Sequence, residues 1–206
     1  RPPGSTLFPY TTLFRSVGFE QQTEYPRTGQ ILLSVIPQEA KQFALKLRVP
    51  YWSQRTTVKI NGTAQKGVQA GTYFSMDRTW TSGDQVEINL DMSLHYWSGM
   101  EEMSGKACIY RGPVLMCFLG VRSAALPGFD ATDMEPQLVE REGTADPLVR
   151  IKVKSSKGTT FLRDLDSAAE NNQPYVTWLE IANAPVTEFS ERNPLRSGRE
   201  IGRAHV

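Results

Sequence analysis

Phe43-Ala-Leu-Lys-Leu-Arg-Val49 and, farther along, Val86-Glu-Ile-Asn-Leu-Asp-Met92 are the stretches that decide the fold. In the first, Phe43, Leu45, Leu47 and Val49 alternate with Ala44, Lys46 and Arg48. In the second, Val86, Ile88, Leu90 and Met92 alternate with Glu87, Asn89 and Asp91. A period of two marks a strand with one buried face, because successive side chains point to opposite sides of a sheet. Pro50 stops the first strand, since proline cannot donate to the ladder. Gly83-Asp84 turns the chain into the second.

The same reading extends in both directions. Val17 to Tyr25 is short and polar, and Gln30 to Ile36 is an apolar run ended by Pro37. Val58-Lys-Ile60 precedes Asn61-Gly62, which suits a type I′ hairpin turn because both central residues need positive φ. Thr72 to Met76 predicts another strand. Ala107 to Tyr110 and Val114 to Leu119 flank Arg111-Gly-Pro113 and are apolar on both faces, as central sandwich strands are. From Arg122 to Pro147 the composition shifts to acid, Pro and Gly, which predicts a long loop or linker. Leu148 to Lys154, Thr159 to Leu162 and Pro174 to Ala182 predict the last strands. Asp164 to Asn171 is the one helix candidate. Strands at this spacing, separated by turn signals, imply an all-β chain. The expectation is two jelly-roll-like β-sandwiches, the second incomplete.

Composition agrees. The chain has 206 residues, 23 Lys+Arg against 22 Asp+Glu, and a formal net charge of +1. A balanced charge argues against a nucleic-acid partner, whose phosphates call for a basic surplus. No apolar run approaches the roughly 20 residues of a membrane-spanning helix. Two cysteines exclude a disulfide scaffold and a Cys-only zinc site made by this chain alone.

The ends are set apart. Thr6 to Ser16 reads TLFPYTTLFRS and Glu200 to Val206 reads EIGRAHV. Both are in-frame translations of common sequencing adapters, one at each end and in the correct order. Residues 1–16 and 200–206 are therefore expected to be adapter-derived and are left out of fold reasoning. The expected organisation is a middle sandwich over residues 17–122 and part of a C-terminal one over 123–199.

Few residues invite chemistry. Glu101-Glu102 and Asp133/Glu135 are the local carboxylate pairs, and glycosidases use such pairs. Neighbours on a strand point to opposite faces, so Glu101 and Glu102 read as a solvated loop. Cys108 and Cys117 sit in apolar strands and read as small core hydrophobes rather than nucleophiles or metal ligands. His95 has no partner for a catalytic set. Asn61-Gly62-Thr63 fits a glycosylation pattern, but the tight turn explains it. The aromatics leave a contest open. Tyr51, Trp52, Tyr96 and Trp97 are candidates for stacking on sugar rings, whereas Trp80 reads as core.

Taken in order, Thr23-Glu-Tyr-Pro26, Phe43-x-Leu-x-Leu-Arg-Val-Pro-Tyr-Trp52, Val58-x-Ile-Asn-Gly62, Gly71-x-Tyr-Phe74, Arg78-x-Trp80, Gly83-Asp-x-Val86, Ile88-x-Leu90 and Tyr110-Arg-Gly-Pro-Val-Leu115 form one pattern. It resembles the region that follows the catalytic barrel in glycoside hydrolase family 127, the β-L-arabinofuranosidase-like proteins. The resemblance covers about Thr23 to Gly120.

What it implies is a parent retaining hydrolase acting on β-L-arabinofuranosides or related plant glycans. There an (α/α)6 barrel carries the chemistry, with a zinc-bound cysteine thiolate as nucleophile and a glutamate as acid/base. The implied zinc ligands include a Cys-Cys pair that precedes the matched region, and this chain has no such pair. No catalytic residue, metal ligand or cofactor is therefore carried onto this sequence. The implied partners are the parent's own barrel and a glycan. A stand-alone carbohydrate-binding sandwich is the alternative, and a structural sandwich without ligand a third reading.

Overall fold

The structure, a computed structural model, describes residues 17–120, 126–139, 149–155, 157–170 and 172–185. The two segments read as adapter-derived lie outside the described residues. The chain is all-β, as its alternating stretches require.

Seven strands build the first half: β1 (Val17–Thr23), β2 (Gln30–Pro37), β3 (Lys41–Arg48), β4 (Thr57–Ile60), β5 (Thr63–Ala64), β6 (Tyr73–Trp80) and β7 (Asp84–Asn89). One sheet runs β1-β2-β7-β4-β5, and β3 pairs with β6 in a second, two-stranded layer. Every pairing is antiparallel. The alternating residues now have a destination. Val35, Val58, Ile60 and Val86 of the larger sheet face Met76 and Trp80 of the smaller one, with Phe43, Leu45 and Leu47 packed at the margin. Trp80 is 0% exposed, and its Nε1 donates to the Phe43 carbonyl at 3.1 Å, so its one polar atom is satisfied inside the core. Asn61 and Gly62 join β4 to β5 with φ of 48° and 77°. Both are positive, as the expected turn demands.

The second half contains β8 (Leu94–Ser98), β9 (Ala107–Arg111), β10 (Val114–Leu119), β11 (Phe129–Asp130), β12 (Glu135–Leu138), β13 (Val149–Ser155), β14 (Gly158–Asp164), a short helix α1 (Leu165–Glu170), β15 (Tyr175–Val176) and β16 (Ile181–Ala182). They form one branched sheet in the order β16-β11-β13-β14-β10-β9-β8, with β12 on β13 and β15 on β10. A separate core collects Ile109, Met116, Ile151, Val153, Leu162 and Leu179. The helix starts where Asp164 Oδ1 accepts from the Ser167 amide at 3.0 Å, a capping bond for an otherwise orphan donor.

Three expectations change. The divide between the two halves lies at Leu90–Ser93, not at residue 122. β9 and β10 pair onward into β14, so their apolar faces serve the second core. The stretch read as a linker holds two strands, β11 and β12. Pro136 is tolerated in β12 because that strand pairs only with β13 among the described residues. The single strand expected over Pro174–Ala182 is broken into β15, an isolated bridge at Leu179 and β16.

Candidate functional site

Two of the aromatic residues singled out in the sequence, Trp52 and Trp97, come together with His95 and Tyr110 where the two halves meet. β8 places them by alternation. His95 lies opposite Tyr110 and Trp97 opposite Cys108, whereas Tyr96 lies opposite Ile109. Paired residues share a face, so His95, Trp97 and Tyr110 project to one side and Tyr96 to the other. Tyr96 is 4% exposed within the second core, and its Oη donates to Met134 Sδ at 3.4 Å. A ring buried this way has no face for a sugar, so Tyr96 is removed from the contact set.

The other side of β8 forms a stack. The Trp52 and His95 rings are 6.4 Å apart at 6° between planes, and His95 and Tyr110 are 5.5 Å apart at 10°. Trp97 leans on Tyr110 at 5.1 Å and 42°. These separations lie within the usual range for aromatic pairs. Trp52 comes from the loop after β3, so the stack joins the first half to the second. Tyr51 and Trp52 are both half-buried.

The loop from Pro50 to Thr56 is held by its own short-range bonds. The Ser53 amide donates to the Pro50 carbonyl at 3.1 Å, and the Thr56 hydroxyl donates to the Ser53 carbonyl at 3.0 Å. It then grips the divide. The Asp91 amide donates to Ser53 Oγ at 2.7 Å. Arg55 reaches Asp91 with two bonds, Nε to Oδ2 at 2.9 Å and Nη2 to Oδ1 at 3.1 Å. That two-point geometry fixes orientation as well as charge. The Arg55 bond and the Ser93 contacts, working against partial burial, hold the Asp91 carboxyl down at about 2. A second tie runs from Arg111 Nη1 to the Arg27 carbonyl at 2.9 Å. Gly112 completes the fit. Its φ is +56°, and a Cβ there would lie 2.6 Å from Met92 Cε and 3.4 Å from Trp52 Cζ3. The positive φ favours glycine there, and any side chain would also have to displace the end of Met92.

Burial holds His95 down to about 4, against the opposing pull of the Ser93 backbone and the Asp91 charge. The imidazole is therefore neutral at neutral pH and sits in the stack as an aromatic plate. This arrangement is suited to fixing two sheets at one angle.

The remaining candidates stay apart from it. Glu101 and Glu102 are exposed on a single 3-10 turn, as the solvated-loop reading expected. Asp133 closes another such turn, and Glu135 pairs with Lys152 at 3.7 Å. Cys108 and Cys117 are free thiols and buried. Burial pushes them up to about 12 and about 11. A zinc ligand must be a thiolate, so neither residue fits the metal that the resemblance implies for a catalytic centre. Among the described residues no group of three or more His, Cys, Asp or Glu is placed to hold a metal ion. What the sequence missed is the grip of Arg55 on Asp91. The two are far apart in the chain, and no local pattern announces the pair.

Comparison with known proteins bears on this joint. Residues 9–92 match the family model described as the β-L-arabinofuranosidase, GH127 middle domain. The match ends at the divide found in the structure. No curated protein matches the chain. Among solved structures, one described as a glycoside hydrolase superposes with a TM-score of 0.68 at 22% identity, over 81% of this chain and 32% of its own. A GH127 β-L-arabinofuranosidase from Geobacillus stearothermophilus T6 gives 0.67 at 23%, over 81% and 31%. A further GH127 β-arabinofuranosidase gives 0.66 at 21%, over 79% and 31%. The chain thus spans about a third of the length of each.

Proposed function

We propose that this chain, whose residues 9–92 match the model of the GH127 middle domain, is the non-catalytic β-sandwich portion of a retaining glycoside hydrolase acting on β-L-arabinofuranosides or related plant glycans. The chemistry, including any zinc, belongs to an (α/α)6 barrel elsewhere in the parent polypeptide. The sandwiches support that barrel and shape its surroundings.

One observation carries this reading. The family match ends at residue 92, and the first core and its sheets end there too, before Leu94 opens β8. Sequence and fold therefore end this unit at the same place. The joint adds a physical rationale. Trp52, His95 and Tyr110 stack on one another, and Arg55 clamps Asp91, so the loop after β3 works as a fastening between sandwiches. A non-catalytic support needs a defined angle between its parts, and this fastening supplies one. The two thiols act as core groups, because burial holds them protonated.

The test compares the chain with the parent protein on an aryl β-L-arabinofuranoside. The parent is expected to release the aryl group, and the chain alone is expected to stay at the buffer rate. Hydrolysis by the chain alone that survives re-purification would place catalysis within these residues and overturn the proposal.

A further inference from the structure

The second sandwich holds a fork that its own chain wedges open. β9 and β10 leave the Gly112-Pro113 turn as a hairpin, with Arg111 opposite Val114 and Tyr110 opposite Leu115. Their ladder stops after these two pairs. β10 turns instead to β15, placing Phe118 opposite Val176 and Leu119 opposite Tyr175. β9 turns to Leu179, which exchanges backbone bonds with Ala107 at 2.8 and 3.0 Å. β8 holds the outer edge of β9 and β14 that of β10, so residues 174–179 lie between the two. Both contacts are antiparallel, yet β9 and β10 themselves run in opposite directions. The segment must therefore reverse between Val176 and Leu179, which puts Thr177-Trp178 at its tip. There a hydrogen bond joins the Thr177 and Cys108 side chains.

Continued by two steps, the hairpin register sets Ile109 against Met116 and Cys108 against Cys117. Opposed residues share a face of the sheet. Their Cα atoms on antiparallel strands lie about 4.5–5.5 Å apart, which is within the span of a disulfide. The wedge is what holds the two strands from closing that far. Val176 and Leu179 anchor it, since both are buried in the second core. While it is seated, both thiols are buried and free, and burial keeps them protonated. Only a thiolate attacks a disulfide, so the seated wedge keeps the pair silent.

We propose that this fork is a redox latch: when residues 174–179 withdraw, β9 and β10 zip two pairs further, Cys108 meets Cys117, and a disulfide between them holds the wedge out. The co-reactant is a small-molecule disulfide such as oxidised glutathione. One protein thiolate attacks it, forming a mixed disulfide and expelling a first glutathione thiolate. The second protein thiolate attacks the mixed disulfide at the protein sulfur and expels the other. The two cysteines are oxidised, one glutathione disulfide is reduced to two thiols, and the two protons end on those thiols. The locked state costs the second core Val176 and Leu179, and it also pulls on β16, which follows the wedge and pairs with β11. Oxidation thus loosens the second sandwich and leaves the first core, which shares no residue with it, in place.

The test incubates the full chain with oxidised glutathione at pH 8 without denaturant and follows intact mass and peptide maps over hours. A Cys108–Cys117 bridge is expected to form slowly, with the loss of two hydrogens and no lasting glutathione adduct. Its rate should stay level as guanidinium is raised below the unfolding transition, because the opening is local. Val176→Ala loosens the anchor and should speed the bridge at least several-fold. Thr177→Val keeps the size of the tip, removes the hydroxyl that meets Cys108, and should speed it to a smaller extent; it carries the test if the first variant fails to fold. In the bridged chain, the Ala107, Leu179 and Gly120 amides, which now bond across the fork, should lose protection from exchange, while Val153 and Leu162 keep it. Glutathione adducts without a bridge, or no reaction at all, would overturn the proposal. So would a rate that climbs steeply with guanidinium, which would make global unfolding the route. A bridged chain whose Ala107 and Leu179 amides stay protected would overturn it too, since the wedge would still be seated.

Discussion

Protonating His95 should loosen the whole assembly, and the size of the effect follows from its surroundings. The ring lies between Trp52 and Tyr110, and burial holds it down to about 4 from an ordinary value of 6.5. Because the folded-state value is depressed, the unfolded chain binds the proton more readily between these limits. Stability is thus fully present above pH 6.5 and is lost as pH falls toward 4. The full shift corresponds to about 3 kcal/mol, of which about 2 kcal/mol is lost between pH 7 and pH 5. The carboxyls act in a separate window. Asp84, Asp91 and Asp130 are held below their ordinary 3.8, so their contribution is present above that value and fades only below it. His95 is also the only histidine among the described residues. Guanidinium unfolding followed by tryptophan emission at pH 7, 6 and 5 measures the loss. His95→Phe keeps a flat ring in the stack and removes the titration, so its stability should be level across that range. A His95 resonance, assigned by its absence in His95→Phe, that titrates near 6.5 in the folded chain would refute the reasoning, as would a variant that keeps the wild-type slope.

Other consequences are separable by site. Asp91→Asn removes the charge that Arg55 holds with two bonds; it should lower the midpoint in the same unfolding assay, and an unchanged midpoint would show the clamp to be idle. Trp80→Ala empties the centre of the first core and should cost about 3–5 kcal/mol, with amide exchange rising in β3, β6 and β7 before β13 and β14; uniform loss across both halves would contradict two separate cores. Cys108 and Cys117 should resist an aromatic disulfide reagent at pH 8 in the folded chain and react on unfolding, because both are buried and held protonated. Rapid labelling of either thiol without denaturant would rule out their role as core groups.

How much of this was legible in the sequence depended on how local each signal was. β3 and β7 could be read because Phe43 to Val49 and Val86 to Asn89 alternate, and alternation is a property of neighbours. The Asn61-Gly62 turn was equally local. β8 escaped, because His95, Tyr96 and Trp97 are all large rings and hide which face is the core; only pairing with Tyr110, Ile109 and Cys108 separates them. That is also why Tyr96 was grouped with Trp97. β11 and β12 were lost in a Pro- and Gly-rich stretch, since short strands held by β13 need little propensity of their own. The divide at Leu90–Ser93 carries no break in composition. It is created by Arg55, Ser53 and Trp52 reaching across the chain, and such contacts exist only once both sheets have formed.

The account's central claim is that these sandwiches serve a catalytic barrel encoded beside them. Sequencing the source DNA upstream of the Val17 codon, across the junction with the segment that reads as adapter, tests this most directly. The account predicts a continuous frame encoding a helical barrel with a Cys-Cys pair. A frame that opens just before Val17, or that joins an unrelated domain, would contradict it.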